Sequence, residues 1–228
     1  MYSPKFNIVT DRAVLLEAMR ENSFAILFGP VDPVQGDRVQ TDGAQTNASL
    51  AATHLPLVVK DAGEHGLIEG HFAKANHHWQ ALAGRETLVV FSGPHSYVSP
   101  TLYTEELSVP TWNYIAVHAY GVLELIEDPA AKDALLKDLI AIHEPAYADR
   151  WRALPEGFHR TMLAGIVGFR IPIARLEGKF KLSQNRTRED QENVIASLEK
   201  AEDSVVSGVA QMMKEQRLGK LAGDKERE

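Results

Sequence analysis

The chain has 228 residues, 44% of them hydrophobic, and a formal net charge of −7. That length suits one large β-rich domain or one to two ordinary domains, with enough apolar surface for a full core. The acidic balance argues against a surface built for nucleic acid, because Lys and Arg on phosphates supply most non-specific DNA affinity, and the absence of cysteine excludes disulfides, thiolate metal sites and a Cys nucleophile.

The first residues, MYSPKFNIVTDRAVLLEAMRENSF, lack a basic leader followed by a continuous apolar core, and nowhere do about 18 apolar residues run together. A soluble cytoplasmic protein with no membrane partner is the expectation. Val14, Leu15, Ala18 and Met19 recur at helical spacing behind Thr10 or Asp11, which predicts a short capped helix. SFAILFG follows as a short buried strand. The segment from Pro30 to Ser49, rich in Asp, Gly, Gln, Thr and Asn, predicts a loop or a long exposed hairpin. AATHLPLVVK, HGLIEGHFA, ETLVVFSG and VPTWNYIAVHAYG then read as strands, with one brief helix around NHHWQALA. Strands so closely spaced favour an antiparallel meander or barrel over alternating βα units.

VPTWNYIAVHAYG is informative because both its faces are occupied. Strand alternation puts Ile115, Val117 and Ala119 on one side and Trp112, Tyr114, His118 and Tyr120 on the other. A sheet face open to water shows plainer alternation of apolar and charged residues. The aromatic face therefore meets a flat ligand, another subunit, or both.

From Asp128 the pattern changes. DPAAKDALLKDLIAIHE has Asp128 as cap, Pro129 at the first helical position, and Leu135, Leu136, Leu139 and Ile140 on one face. A Pro- and Trp-containing connection leads to a helical turn at 161–164. IVGFRIPIARLEG returns to strand, with Val167, Phe169, Ile171 and Ile173 on one side and Pro172 on the other, which predicts an edge or bulged strand. Thr187, three residues before Asp190, opens one or two terminal helices as an acidic variant of the capping box. The tail after Gly219 is charged and reads as frayed.

Exclusion narrows the chemistry. Neither a phosphate-binding Gly-Lys-Ser/Thr loop nor a dinucleotide-binding triple glycine is present. His77 and His78 are adjacent and cannot both face one ion from a regular helix, so no metal is assigned. Ser92, His95 and Ser96 lack a strained nucleophile elbow, and no catalytic residue is assigned. What remains is a set of donor-rich stretches in or after strands: Thr53 and His54; His71, Lys74 and Asn76; His95, Ser96, Tyr97 and Ser99; and Lys181, Ser183, Gln184 and Asn185. Singly, each has a plainer role: Thr53 and His54 can satisfy strand-edge backbone, Asn76 can cap the helix it precedes, and KLSQNR can be a solvated helix entry. Together they match what a phosphorylated planar ligand needs. A helix starting just after Lys74 adds N–H donors for the phosphate, and Trp112 and Tyr114 supply a flat wall or, equally, packing at a subunit interface.

In order along the chain, HLPL, GHFAKAN, FSGPHSYVSP, VPTWNYIAVHAYG, GIVGF and LEGKFKLSQNR resemble the PaiB family of FMN-binding negative transcriptional regulators, from MYSPKF to about residue 198. The resemblance implies a mainly β fold with flanking helices (α+β), a six-stranded-type antiparallel split barrel of the FMN-binding kind. The barrel domain is placed at residues 1–185, with a helical segment at 186–228 packed on it. It also implies a homodimer with FMN at the barrel and dimer edge, and a repressor tied to sporulation and degradative enzymes. Thr53, His71, Ala73, Lys74 and Asn76 carry over as flavin-site positions because their motif is intact, and Trp112, Asn113, Lys181, Ser183 and Gln184 follow as further candidates. Two positions depart from the family pattern: His77 stands where Pro usually follows Asn, and Leu102 where an indole is usual. Three functions compete: an FMN-binding regulator or sensor; an FMN-dependent oxidoreductase using NAD(P)H, in which the cofactor carries the chemistry; and a structural homodimer with a vestigial pocket.

Overall fold

A computed structural model describes residues 1–31 and 49–219. The loop expected from Pro30 to Ser49 therefore lies almost wholly outside the described residues, as does the charged tail. Strand β1 (Ile8–Val9) precedes helix α1 (Arg12–Glu21). Asp11, rather than Thr10, caps α1 by accepting the Val14 N–H at 3.1 Å, and Leu15, Leu16, Ala18 and Met19 form its buried face. β2 (Phe24–Val31) pairs antiparallel with β3 (Ser49–Pro56), from Phe24 opposite Pro56 to Val31 opposite Ser49. There follow β4 (Val58–Lys60), β5 (Leu67–Ala73), α2 (His78–Leu82), β6 (Glu86–Val98), β7 (Thr111–Val122) and β8 (Glu124–Ile126).

Helix α3 (Pro129–His143) forms as its sequence dictates: the Asp128 carboxylate accepts the N–H groups of Ala130 and Ala131, and Leu135 and Leu139 pack with Val58. The next connection is more helical than its pattern suggests, containing α4 (Ala148–Ala153) and α5 (Glu156–Ala164). No residue of α5 is buried, and its large apolar side chains Phe158 and Met162, four residues apart, are exposed. Polar and ring contacts organise this region instead: Trp151 donates its indole N–H to Asp133 at 3.2 Å and stacks on His159 with centroids 4.5 Å apart.

Strand β9 (Ile166–Lys181) corrects a second expectation. Among the described residues the strands run β3-β2-β6-β7-β9-β5-β4, with β1 and β8 also on β9, so β9 lies inside the sheet and is not an edge. Pro172 is tolerated there because it pairs with Leu67, the first residue of β5, at the end of that ladder. Phe169, Ile171 and Ile173 are buried on the expected side. The chain continues through α6 (Arg188–Leu198) and α7 (Ser204–Arg217). Thr187 accepts the Asp190 N–H at 3.1 Å, which makes half of a capping box. The buried Asp190 carboxylate turns elsewhere, accepting the Thr104 backbone N–H at 2.7 Å and its hydroxyl at 3.0 Å. Those bonds, the backbone one foremost, hold its carboxyl below the ordinary value.

The described residues form two compact units. One comprises Met1–Asn22, Phe91–His118 and the chain from Leu176, with Leu16, Met19, Phe91, Phe180, Val194 and Val209 in its core. The other comprises Ser23–Val90 and Ala119–Arg175, with Leu27, Leu57, Ile68, Phe72, Leu82 and Phe169 in its core. None of the described helices is long and apolar enough to cross a membrane.

Candidate functional site

In the second unit the site candidates gather where β5 gives way to α2. Ile68, Gly70 and Phe72 face inward from β5, which turns His71 and Ala73 to the other side. Beyond Ala73 the backbone is held at each step. The Lys74 N–H donates to the Gly165 carbonyl at 2.9 Å, the Asn76 N–H to that of Ala73 at 2.8 Å, and the Trp79 indole N–H to that of Lys74 at 3.3 Å. Ala73, Lys74 and Ala75 are exposed on this fixed turn, and the Lys74 ammonium has no partner among the described residues. His71 Nδ1 is buried and unpaired. Thr53 Oγ1 lies 2.8 Å from His78 Nδ1, and the Asn76 amide donates to the same hydroxyl at 3.5 Å. His54 alternates to the opposite side of β3 from Thr53, exposed, with its ring centroid 6.0 Å from that of Phe24.

The helix expected to offer its N-terminus to a phosphate does not do so. α2 has five residues, and the N–H of its first residue, His78, is taken at 3.1 Å by Asn76 Oδ1. His78 itself was read in the sequence only as half of an adjacent histidine pair. Its burial and its bond to Thr53 join residues 25 positions apart, a pairing that no local spacing reveals.

In the first unit the candidates divide by strand parity. Trp112 is 53% exposed, with ring contacts to His95 at 6.3 Å and Tyr97 at 6.2 Å. Tyr114 is half-buried, 5.3 Å from the Lys179 ammonium. Asn113 faces the other way and is fully buried; its amide donates to Ser183 Oγ at 2.9 Å, and the Ser183 hydroxyl returns a bond to Asn113 Oδ1 at 3.2 Å. Ser183 has φ +62°, the one non-glycine residue with positive φ among the described residues. The Lys181 ammonium donates to the Thr111 hydroxyl and, at 2.8 Å, to the Trp112 carbonyl. Gln184 accepts the Leu182 N–H at 2.7 Å and donates to the Phe180 carbonyl. Asn113, Lys181, Ser183 and Gln184 thus spend their polar groups fixing the turn after β9, while Trp112 keeps an open ring.

The electrostatics of the β5–α2 rim give one measurable consequence. Burial pushes the imidazoles of His71 and His78 below the ordinary value of 6.5, so both are neutral at pH 7. Below pH 6.5 the unfolded chain binds protons that the folded chain refuses. Stability is therefore full above that value and falls as pH drops from it toward the depressed folded values, by at most about 1.4 kcal/mol per pH unit for each group. The low value of Asp190 acts in a separate window, because its contribution is present above 3.8 and lost as pH falls through the folded value. Urea unfolding of the ligand-free protein between pH 7.5 and 5, in a Glu21→Gln background that removes the opposing contribution of the raised Glu21 carboxyl, reads the histidine arm. A flat profile there refutes the burial of both rings.

The fold recurs in solved structures. The flavocytochrome Anf3 from Azotobacter vinelandii is similar over 84% of this chain and 78% of its own, with a TM-score of 0.55 at 16% identity. A conserved hypothetical protein from Mycobacterium tuberculosis is similar over 81% of this chain and 92% of its own, with a TM-score of 0.51 at 14% identity. The class is the antiparallel split barrel of the FMN-binding kind, mainly β with flanking helices. Residues 1–175 match the family model described as "Putative FMN-binding domain". "Protease synthase and sporulation protein PAI 2" of Bacillus subtilis is 36% identical over 221 residues, covering 94% of this chain and 97% of that one. The chain belongs to this FMN-binding family, the PaiB family that its motifs resemble, and FMN is the cofactor of the family's domain.

The residues at the β5–α2 rim fit such a group. An anionic phosphate suits the Lys74 ammonium, which has no partner among the described residues, and a polyhydroxylated chain with a polar ring edge suits the unpaired nitrogen of His71 and the Thr53 hydroxyl.

Proposed function

We propose that the chain is an FMN-binding homodimer of the PaiB type that acts as a negative transcriptional regulator or flavin-linked sensor. The observation that carries the flavin reading is the Lys74 ammonium, without a partner among the described residues, on a turn whose backbone is fixed by Gly165 and Trp79, next in the chain to the strand that holds His71 with its unpaired Nδ1. In this reading Lys74 holds the phosphate, and Thr53, His71 and Asn76 orient the ligand. Bound FMN supplies reversible electron uptake; the chain supplies position and electrostatics. The regulatory half is supported by kinship to a relative whose name links it to sporulation. With a net charge of −7, regulation runs through a change in the dimer and its protein contacts more readily than through direct operator binding.

Three measurements separate the readings. The purified protein takes up added FMN and keeps it through gel filtration at dimer size; failure to take up FMN overturns the flavin reading. Slow NADH and NADPH oxidation by the loaded dimer supports a regulator or sensor, whereas rapid turnover moves the chain to the FMN-dependent oxidoreductases. A salt-sensitive, sequence-dependent gel shift establishes direct DNA binding, and its absence at low salt leaves regulation through partners.

A further inference from the structure

A row of three residues crosses the face of the sheet that carries His71. Gly168 of β9 pairs with His71 of β5 on one side and with Ile126 of β8 on the other, and residues directly opposite each other in antiparallel strands point to the same face. The middle of that row has no side chain. Lys132 of α3 takes the place: a Cβ added at Gly168 would lie 3.3 Å from Lys132 Cγ and 3.3 Å from Ile126 Cβ. The lysine stem thus rests over Gly168, next in the row to His71, whose Nδ1 is buried and unpaired.

Lys132 stands three and four residues before Leu135 and Leu136, on the face by which α3 packs. A lysine on such a stripe buries its carbons and carries its ammonium to the edge. The Lys132 ammonium has no partner among the described residues. The carboxylates that flank it in the chain are engaged elsewhere, Asp128 by the N–H groups of Ala130 and Ala131, Asp133 by Lys137 and the Trp151 indole. Lys132 is also the fourth residue of a 15-residue helix, at the end whose dipole disfavours a cation. An anion beside it relieves that repulsion. The same ladder leads to Lys74: two residues before Gly168, Ile166 pairs with Ala73, so the seat of Lys132 lies about 7 Å along β9 from the start of the Lys74 turn. Two four-carbon stems can converge on one phosphate across that gap.

We propose that Lys132 is a second phosphate-binding residue, which meets the FMN phosphate together with Lys74. The inference rests on the reading that the β5–α2 rim holds FMN, and deepens it. A phosphate monoester carries a charge of about −1.5 to −2 at pH 7, which one ammonium does not balance.

Fluorescence titration of Lys132→Met tests this, since methionine keeps an unbranched stem over Gly168 and removes the charge. FMN binds about tenfold or more weakly, and riboflavin stays within about twofold of the parent. Lys132→Arg, which keeps the charge, stays within about threefold for both flavins. In the Lys74→Ala background Lys132→Met abolishes the small preference for FMN that remains. Unaltered FMN affinity in Lys132→Met, or equal losses for the two flavins, overturns the proposal and leaves the flavin reading standing; a parent chain that binds no FMN overturns both. Urea unfolding without ligand separates binding from a structural role. Lys132→Met is at least as stable as the parent, because no ion pair is lost and a cation leaves the positive end of α3. A clear loss of stability shows that the ammonium has an internal partner and overturns the proposal.

Discussion

Lys74→Ala lowers FMN affinity by about one to two orders of magnitude and leaves riboflavin affinity almost unchanged. The two ligands differ only in the phosphate, and a hydrogen bond from a charged donor is worth about 1.5 to 3 kcal/mol. The substitution is clean because the loop does not depend on the side chain. Its backbone is held by Gly165 and Trp79, and the flanking Ala73 and Ala75 are small and exposed. No internal ion pair is lost, since the ammonium has no partner among the described residues. Salt supplies a second signature: an exposed ammonium is screened, so the FMN preference of the parent protein narrows as ionic strength rises, whereas the Lys74→Ala protein has little preference to lose. Fluorescence titration with both flavins at two salt concentrations makes the comparison. Equal losses for FMN and riboflavin show that Lys74 does not meet the phosphate.

The features of this fold that were legible in the sequence are those fixed by neighbours. Asp11 and Asp128 sit just before apolar residues at helical spacing, and each caps its helix by local bonds. The two-faced character of β7 follows from alternation, and Asn113, Ile115, Val117 and Ala119 are buried as parity requires. Pro172 misleads because a strand's place in a sheet depends on which partners flank it, and the chain reaches β9 only after β5, β7 and β8 exist to surround it. The site divides along the same line. GHFAKAN could be recognised as a motif, and the exposure of its lysine is a surface property. Whether a polar side chain is free for a ligand depends on remote partners: Asn113 is claimed by Ser183, 70 residues away, and Thr53 by His78. Donor-rich composition marks both groups alike, and only the three-dimensional pairing tells a spent amide from an open one.

Gly121→Ala is expected to destabilise the protein by about 3 kcal/mol or more, or to prevent folding, although it adds a single methyl group. Gly121 lies on the buried side of β7, where an added Cβ runs into the Pro172 carbonyl oxygen and lies 2.7 Å from Ile171 Cγ2 and 3.2 Å from the Pro172 carbonyl carbon. A carbonyl has no rotamer to change, and Ile171 is fully buried, so the collision can be relieved only by moving β9. β9 is held from its other side, where Leu67 pairs with Pro172 and the Ile173 N–H donates to the Gly66 carbonyl at 3.0 Å. A shift large enough to admit the methyl group disturbs that ladder as well. Gly157 gives the contrast within the same unit: in α5 an added Cβ meets only the end of the Arg160 side chain at 3.9 Å. There the same Gly→Ala change reduces the freedom of the unfolded chain at no steric cost and stabilises by a few tenths to about 1 kcal/mol. Urea unfolding of the two variants beside the parent protein therefore gives opposite signs. A Gly121→Ala protein as stable as its parent means that β7 and β9 do not approach at this point, and with that the placement of β5 and its Lys74 turn against β9 loses its support.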